Sequence, residues 1–129
     1  MFFKIPPKSD KYQWTQHSLK KMRYYGLTPQ RVIRVIRSPE RIEKGIADKT
    51  IAVMQPTSSR RNEKGQKTWK SEIWVMYQKL SSVKKKNKSG LLFSDPVKII
   101  SAWRYPGVSP THNPIPEEIL AELEETMEE

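Results

Sequence analysis

Hydrophobic and polar positions follow a helical period between residues 15 and 39. A first helix is predicted to begin after Thr15, whose hydroxyl can act as the N-cap, and to end at Gly26, which tolerates the left-handed conformation. A second helix is predicted to begin at Thr28 and Pro29 and to end before Pro39. Its apolar side consists of residues spaced i, i+1 and i+4, namely Val32, Ile33 and Ile36. The pattern predicts a helical hairpin whose apolar side needs a sheet or another helix to cover it.

Four later segments alternate with the period of a strand, at residues 41–46, 50–55, 69–78 and 97–104. In the third segment the alternation places Trp69, Ile73, Val75 and Tyr77 on one face, and Trp74 and Met76 on the other. Apolar residues on both faces indicate a central strand. The first residues, Phe2, Phe3 and Ile5, are consistent either with a short edge strand or with packing under a helix.

The resulting element order is two helices, four strands and a C-terminal helix. Because sequential strands usually pair with their neighbours, we expect an α+β domain with the helical hairpin packed on a four-stranded antiparallel sheet. Residues 56–68 and 79–96 are polar and basic without periodicity, which predicts two mobile loops. We divide the chain into an extension (residues 1–14), the α+β domain (15–105) and a Pro-rich linker with an acidic helical tail (106–129), whose apolar stripe consists of Ile119, Leu120 and Leu123.

The charge of the chain is unevenly distributed. Seven of the 14 acidic residues lie from Glu117 onwards, where there is no Lys or Arg. Residues 1–116 therefore carry all 24 basic residues against seven acids, a net charge of +17. Such an excess favours a polyanionic partner, most commonly a nucleic acid, although it is also compatible with a merely solvated surface.

Several classes of protein and of site are excluded by composition. The chain has no cysteine, and its two histidines give no recognisable zinc pattern. There is no glycine-rich phosphate loop, so we expect no metal and no cofactor. The N-terminus lacks the apolar core of a signal peptide and no segment is long and apolar enough to span a bilayer. We expect a cytoplasmic protein without a membrane partner.

The stretch HSLKKMRYYGLTPQRVIRVIRSPERI, residues 17–42, resembles a small bacterial domain family. The sequence pattern of that family is His-Ala-x-x-Arg-Met-x-x-Arg-Gly-Ile-Ser, followed by a helix that ends in Asn-Pro or Ser-Pro. The chain is also similar to the BrnT-type toxins, whose late strand reads Ile-Ile-Ser-Ala-Arg. Here the corresponding strand ends Ile-Ile-Ser-Ala-Trp-Arg, with Trp103 in the place of the toxin Arg and Arg104 one residue later. The resemblance implies a RelE-like fold, an RNA substrate rather than DNA, and an acidic protein partner or antitoxin.

RNA cleavage without a metal needs a base, an acid and cations that stabilise charge on the phosphate. His17 suits proton transfer because its ordinary pKa lies near neutrality, and Lys21 follows it by one helical turn. Arg104 could bind the phosphate through its guanidinium group. These three residues are the candidate catalytic groups of a metal-independent endoribonuclease. Each also has a simpler interpretation: His17 as a surface or capping residue, and Lys21 and Arg104 as solvated charges.

Further residues are candidates for binding RNA. Tyr24 or Tyr25 could stack on a base. The candidate phosphate ligands are basic residues of the second helix and of the two loops, namely Arg31, Arg34, Arg60, Arg61, Lys84, Lys85 and Lys86. The alternative to an endoribonuclease is a non-catalytic module on the same fold that binds nucleic acid or an acidic protein. A third possible function is that of a structural subunit whose basic loops order on assembly.

Overall fold

A sheet with helices on both faces forms the described part of the protein. The computed structural model describes residue 6 and residues 11–46, 49–80, 96–112 and 114–127. The elements, in chain order, are β1 (Tyr12–Trp14), α1 (Gln16–Tyr25), α2 (Pro29–Arg37), β2 (Arg41–Lys44), β3 (Thr50–Thr57), β4 (Arg60–Arg61), β5 (Lys67–Thr68), β6 (Ser71–Lys79), β7 (Val97–Pro106) and α3 (Glu117–Met127). The segments around Phe2, Phe3 and Ile5 and around Lys84, Lys85 and Lys86 lie outside the described residues.

The main sheet has five strands in the order β1-β7-β6-β3-β2. The α+β class is confirmed, but the expected four-stranded antiparallel sheet is wrong because β1 adds a fifth strand, parallel to β7. Tyr12–Trp14 is too short to show strand periodicity, and its partner Val97–Ile99 lies far along the chain. The other pairs, β2–β3, β3–β6 and β6–β7, are antiparallel.

The ends of the first two helices depend on local side chains that the sequence identified. Thr15 accepts a hydrogen bond from the Ser18 amide at 3.0 Å, and Gly26 adopts the left-handed conformation with φ of 68°. Thr28 accepts a hydrogen bond from the Arg31 amide at 3.1 Å at the start of α2. Thr15 Oγ1 also lies 2.9 Å from the carbonyl oxygen of Ile99, so the start of α1 is attached to β7.

One face of the sheet packs against α1 and α2. The helices and the turn between them contribute four buried residues to this first core, namely Met22, Leu27, Val32 and Val35. The strands contribute Val53, Ile73, Val75, Ile99 and Ala102. Val35 is completely buried whereas Ile33 and Ile36 are half-buried, so the apolar side of α2 is centred on Val32 and Val35.

The opposite face packs against α3. Ala52, Met54, Trp74, Met76 and Trp103 form this second core with the fully buried Ile119 and Leu123 of the helix. The rings of Trp74 and Trp103 stack with centroids 6.1 Å apart. Trp69 packs on this face, so the prediction that it shares a face with Ile73 is wrong: β6 begins at Ser71, and the alternation does not extend back to Trp69.

A bulge interrupts the pairing of β6 with β7. Tyr77 pairs with Ile99 and Met76 pairs with Ser101, so Ile100 is an additional residue in β7. Ile99 belongs to the first core, whereas Ile100 packs at the margin of the second. The bulge lies beside the start of α1, and it brings Ser101 next to that helix.

No helix in the described ranges is both long and apolar enough to cross a membrane.

Candidate nucleic-acid interface

His17 and Lys21 lie on one face of α1, as the sequence predicts, and α3 covers that face. Nε2 of His17 is 2.9 Å from Ser101 Oγ, and its Nδ1 is 3.7 Å from Glu122 Oε2. Lys21 donates a hydrogen bond from Nζ to Glu122 Oε1 at 2.7 Å. The side chains of His17 and Lys21 are only 11% and 8% exposed, so a ligand reaches neither without a movement of α3.

The surroundings of His17 favour its neutral form. Burial lowers the pKa of the imidazole below its ordinary value of 6.5. Glu122 opposes this shift in the pKa, and the positive charges of Lys21 and Lys20 add to it. A neutral imidazole at pH 7 has a ring nitrogen able to accept a proton, and Ser101 and Glu122 are the groups beside it.

Arg104 lies at the other end of α1. It is exposed on β7 and donates from Nε to the carbonyl oxygen of Tyr25 at 2.8 Å. Tyr25 is eight residues beyond His17, about 12 Å along a helix. The described structure therefore pairs His17 with Lys21 and Glu122, and places the guanidinium group of Arg104 about two helical turns away.

Arg104 belongs instead to a group of three arginines that we call the arginine cluster: Arg31, Arg34 and Arg104. Burial, followed by the positive charges of Arg34 and Arg104, lowers the pKa of Arg31. The positive charges of Arg34 and Arg104 therefore both act on Arg31. Within the described ranges, no carboxylate lies within ion-pair distance of any of the three.

The cluster is assembled by the first core. Gln55, Ile73 and Arg104 are paired across β3, β6 and β7, in one row of the sheet. Because Ile73 faces the helices, Arg104 also projects on that side, whereas Trp103 next to it is buried on the opposite side. Gln55 donates to the carbonyl oxygens of Arg34 and Ser38 at 3.1 and 2.9 Å, which attaches α2 to the same row.

Tyr24 and Tyr25 differ sharply in accessibility. The side chain of Tyr24 is 73% exposed, whereas Tyr25 is half-buried and packs against both cores. Burial also raises the pKa of Tyr25. Of the two tyrosines that the sequence proposed for base stacking, Tyr24 is the one that a ligand can reach.

Arg60 and Arg61 lie in a short hairpin formed by β4 and β5. The sequence predicted a mobile loop at residues 56–68, and that prediction is wrong because β4 pairs with β5 there. Asn62 Oδ1 accepts hydrogen bonds from the amides of Lys64 and Gln66, which closes the turn. Arg61 donates to the carbonyl oxygen of Gly65 at 2.8 Å, and both arginines remain exposed. Their charges are thus presented on a separate two-stranded sheet between β3 and β6 in the chain.

A buried polar network that sequence reasoning missed joins three distant segments. Glu72 is completely buried and accepts hydrogen bonds from the indole nitrogens of Trp69 and Trp74 at 2.9 and 2.8 Å. It also accepts from the Ser109 hydroxyl at 2.6 Å, and Arg41 Nη1 is 3.7 Å from its Oε2. The one signal in the sequence is an acidic residue inside an otherwise apolar strand. The network fixes residues after β7 against the sheet.

Within the described ranges, no group of three or more His, Asp or Glu side chains is arranged to hold a metal ion.

Comparison of the chain with protein-family models, curated proteins and solved structures finds no match.

Proposed function

We propose that this protein binds RNA through the arginine cluster. One observation carries the proposal: Arg104 projects from β7 on the face of the sheet that carries α2, with Arg31 and Arg34, and no described carboxylate lies within ion-pair distance of any of the three. Keeping like charges together costs free energy in the absence of an anion, and phosphate is the anion that guanidinium groups bind best. The resemblance to RNA-directed toxins favours RNA over DNA as the source of that phosphate.

The distribution of ion pairs supports the same proposal. The carboxylates that form described ion pairs are Glu40, Glu43, Glu72 and Glu122, and their basic partners are Arg41, Lys67, Lys21 and the two histidines. None of these described ion pairs includes Arg31, Arg34 or Arg104. The large positive charge of residues 1–116 adds long-range attraction for a polyanion.

The proposal is tested by measuring the affinity for a fluorescent RNA oligonucleotide as a function of salt. Binding should weaken steeply and be lost at about 0.5 M salt, because each neutralised phosphate releases counterions. Arg34→Gln and Arg104→Gln should each lower the affinity and reduce the slope of log affinity against log salt by about one. Lys44→Gln is the matched control, since Lys44 is an exposed cation at the far end of β2 and its replacement removes the same charge.

Affinity that is independent of salt would contradict the proposal. Equal losses in Arg104→Gln and Lys44→Gln would also contradict it, because they would indicate attraction by net charge alone. That RNA also contacts Lys84, Lys85 and Lys86 stays a prediction, because these residues lie outside the described ranges. The same assay can test it with a variant in which all three are replaced.

Metal-independent cleavage of RNA is a second candidate function. It is favoured by His17, whose lowered pKa and position one turn before Lys21 suit a general base. In the described arrangement, Lys21 is bound to Glu122 and Arg104 lies about two turns away, so the three candidate catalytic residues are not gathered around one phosphate. The second candidate therefore requires a rearrangement that the first does not.

Incubation with RNA in the presence of EDTA tests this activity. Cleavage should leave a 2′,3′-cyclic phosphate and should be abolished in His17→Ala, while His112→Ala, which changes an exposed histidine, should remain active. Cleavage that needs a divalent metal, or that persists in His17→Ala, would exclude the mechanism. If the protein binds the RNA without cleaving it, the function is that of the non-catalytic module.

A further inference from the structure

Tyr24 is an exposed aromatic residue whose ring is held from two sides. Its side chain is 73% exposed, the largest value among the exposed hydrophobic side chains of the described residues. The edge of the Tyr25 ring meets it with centroids 4.8 Å apart and planes at 84°. Lys21 Nζ lies 5.4 Å from the Tyr24 ring centroid, within the range of a cation–π contact. A fixed aromatic surface therefore faces solvent at the end of α1.

The groups that hold this ring are themselves fixed by the fold. Lys21 is bound to Glu122 of α3 at 2.7 Å, and Tyr25 packs between the two cores. The ring of Tyr24 is thus oriented before any ligand arrives, so less conformational freedom is lost on binding. Glu122 acts here as a positioning residue, through Lys21.

Tyr24 and Arg104 both lie at the C-terminal end of α1. Arg104 donates to the carbonyl oxygen of Tyr25, the residue next to Tyr24, and Arg31 is close enough to Arg104 for its pKa to be affected. An aromatic surface beside several cations has the composition of a site for a nucleotide, in which a base stacks on the ring and phosphates meet the cations.

We infer that Tyr24 is a stacking site for an unpaired base, and that the RNA bound by this protein is single-stranded. The inference rests on the proposed function, because it takes the arginine cluster to be the phosphate site. A base in a duplex is stacked on its neighbours and offers no free face to an exposed tyrosine, whereas a base in a single strand does. The half-buried Tyr25 supports the ring of Tyr24 and does not itself stack on the ligand.

The test compares three ligands of equal length: a single-stranded oligoadenylate, the same strand with abasic nucleotides, and the oligoadenylate paired in a duplex. The abasic strand keeps the phosphates and removes the stacking partner. Tyr24→Ala should weaken binding of the intact strand about tenfold and leave binding of the abasic strand unchanged. Tyr24→Phe should retain most of the affinity, because the ring is preserved. Ile42→Ala is the matched control, since Ile42 is 67% exposed on β2.

Glu122→Gln provides an independent readout. It weakens the attachment of Lys21, so the preference for the intact over the abasic strand should fall. Far-ultraviolet circular dichroism and urea unfolding verify that each variant is folded.

The outcomes separate this inference from the proposed function. If Arg104→Gln weakens binding but Tyr24→Ala affects intact and abasic strands equally, stacking is refuted and RNA binding stands. Equal affinity of the wild-type protein for the intact strand and the duplex would also refute the inference. If the wild-type protein binds none of the three ligands, both ideas fail. If polyglutamate binds more tightly than RNA and needs Tyr24, the surface serves an acidic protein instead.

Discussion

Removal of the Glu72 carboxylate should destabilise the protein severely. This carboxylate is completely buried and lies on β6, between Trp69 and Trp74 on one side and Ser109 on the other. Glu72→Ala would leave two indole N–H groups and the Ser109 amide without their acceptor. It would also remove the negative charge that faces Arg41 Nη1 at 3.7 Å. Trp74 and Ser109 are buried, so water cannot readily replace the lost acceptor for their N–H groups, whereas Trp69 is half-buried.

The size of the effect follows from the number and kind of these contacts. A hydrogen bond to a charged group contributes about 1.5–3 kcal/mol, but contacts to one carboxylate are not additive. Arg41 keeps other acceptors, because it also donates to Glu43 and to the carbonyl oxygens of Ser109 and Pro110. We therefore expect Glu72→Ala to lower the free energy of unfolding by about 3–5 kcal/mol, the usual loss for breaking a buried ion pair. That is a large part of the roughly 5–15 kcal/mol that stabilises a domain.

Urea unfolding followed by tryptophan fluorescence measures this loss, with circular dichroism as a second probe. Glu72→Gln retains one oxygen acceptor and should lose less than Glu72→Ala, because the amide still accepts from one side while its NH₂ group opposes a donor. Glu63→Ala is the control, since Glu63 is exposed in the β4–β5 turn, and it should change stability by less than about 0.5 kcal/mol. A loss below about 1 kcal/mol in Glu72→Ala would refute this account of the network.

Three further predictions concern α1 and α3. Burial lowers the pKa of His17, so on acidification the unfolded chain takes up a proton at a higher pH than the folded protein does. The free energy of unfolding should therefore fall as the pH decreases below about 6.5. Urea titrations at several pH values measure this decline, which should be flatter in His17→Asn. Thr15→Val removes both the N-cap and the hydrogen bond to Ile99, and it should cost about 1–2 kcal/mol; a change below about 0.5 kcal/mol would show that the cap is dispensable. Leu123→Ala should cost about 2–5 kcal/mol because the side chain is buried in the second core, whereas the half-buried Leu120→Ala should cost clearly less.

The sequence predicted those features that depend on neighbouring residues. Thr15, Gly26, Thr28 and Pro29 mark the helix ends because caps act within three or four residues, and all of them lie at helix ends in the structure. The spacing of apolar residues in the acidic tail predicted a helix with an apolar stripe, but it left open whether this helix packs on the domain. In the structure α3 forms part of the second core.

Features that depend on distant residues were not predictable in the same way. The β1 strand exists because of its pairing with β7, and the Glu72 network needs Arg41 and Ser109 from segments far from β6. The position of Arg104 at Tyr25 depends on how β7 crosses α1, which no local pattern records. For the candidate catalytic residues, the sequence predicted the common face of His17 and Lys21, but not the contact of both side chains with Glu122.

The strand order also governs when this protein can fold during its synthesis. The first strand of the sheet pairs with the last, and Thr15 at the start of α1 bonds to a carbonyl group 84 residues later. At roughly 5–20 residues per second, a ribosome needs on the order of 10 s to make the intervening chain. Throughout that interval Met22 and the other apolar residues of α1 lack the β7 surface that buries them. The nascent chain is therefore exposed to aggregation until β7 has been synthesised, and cooperative folding of this topology has to wait for that strand.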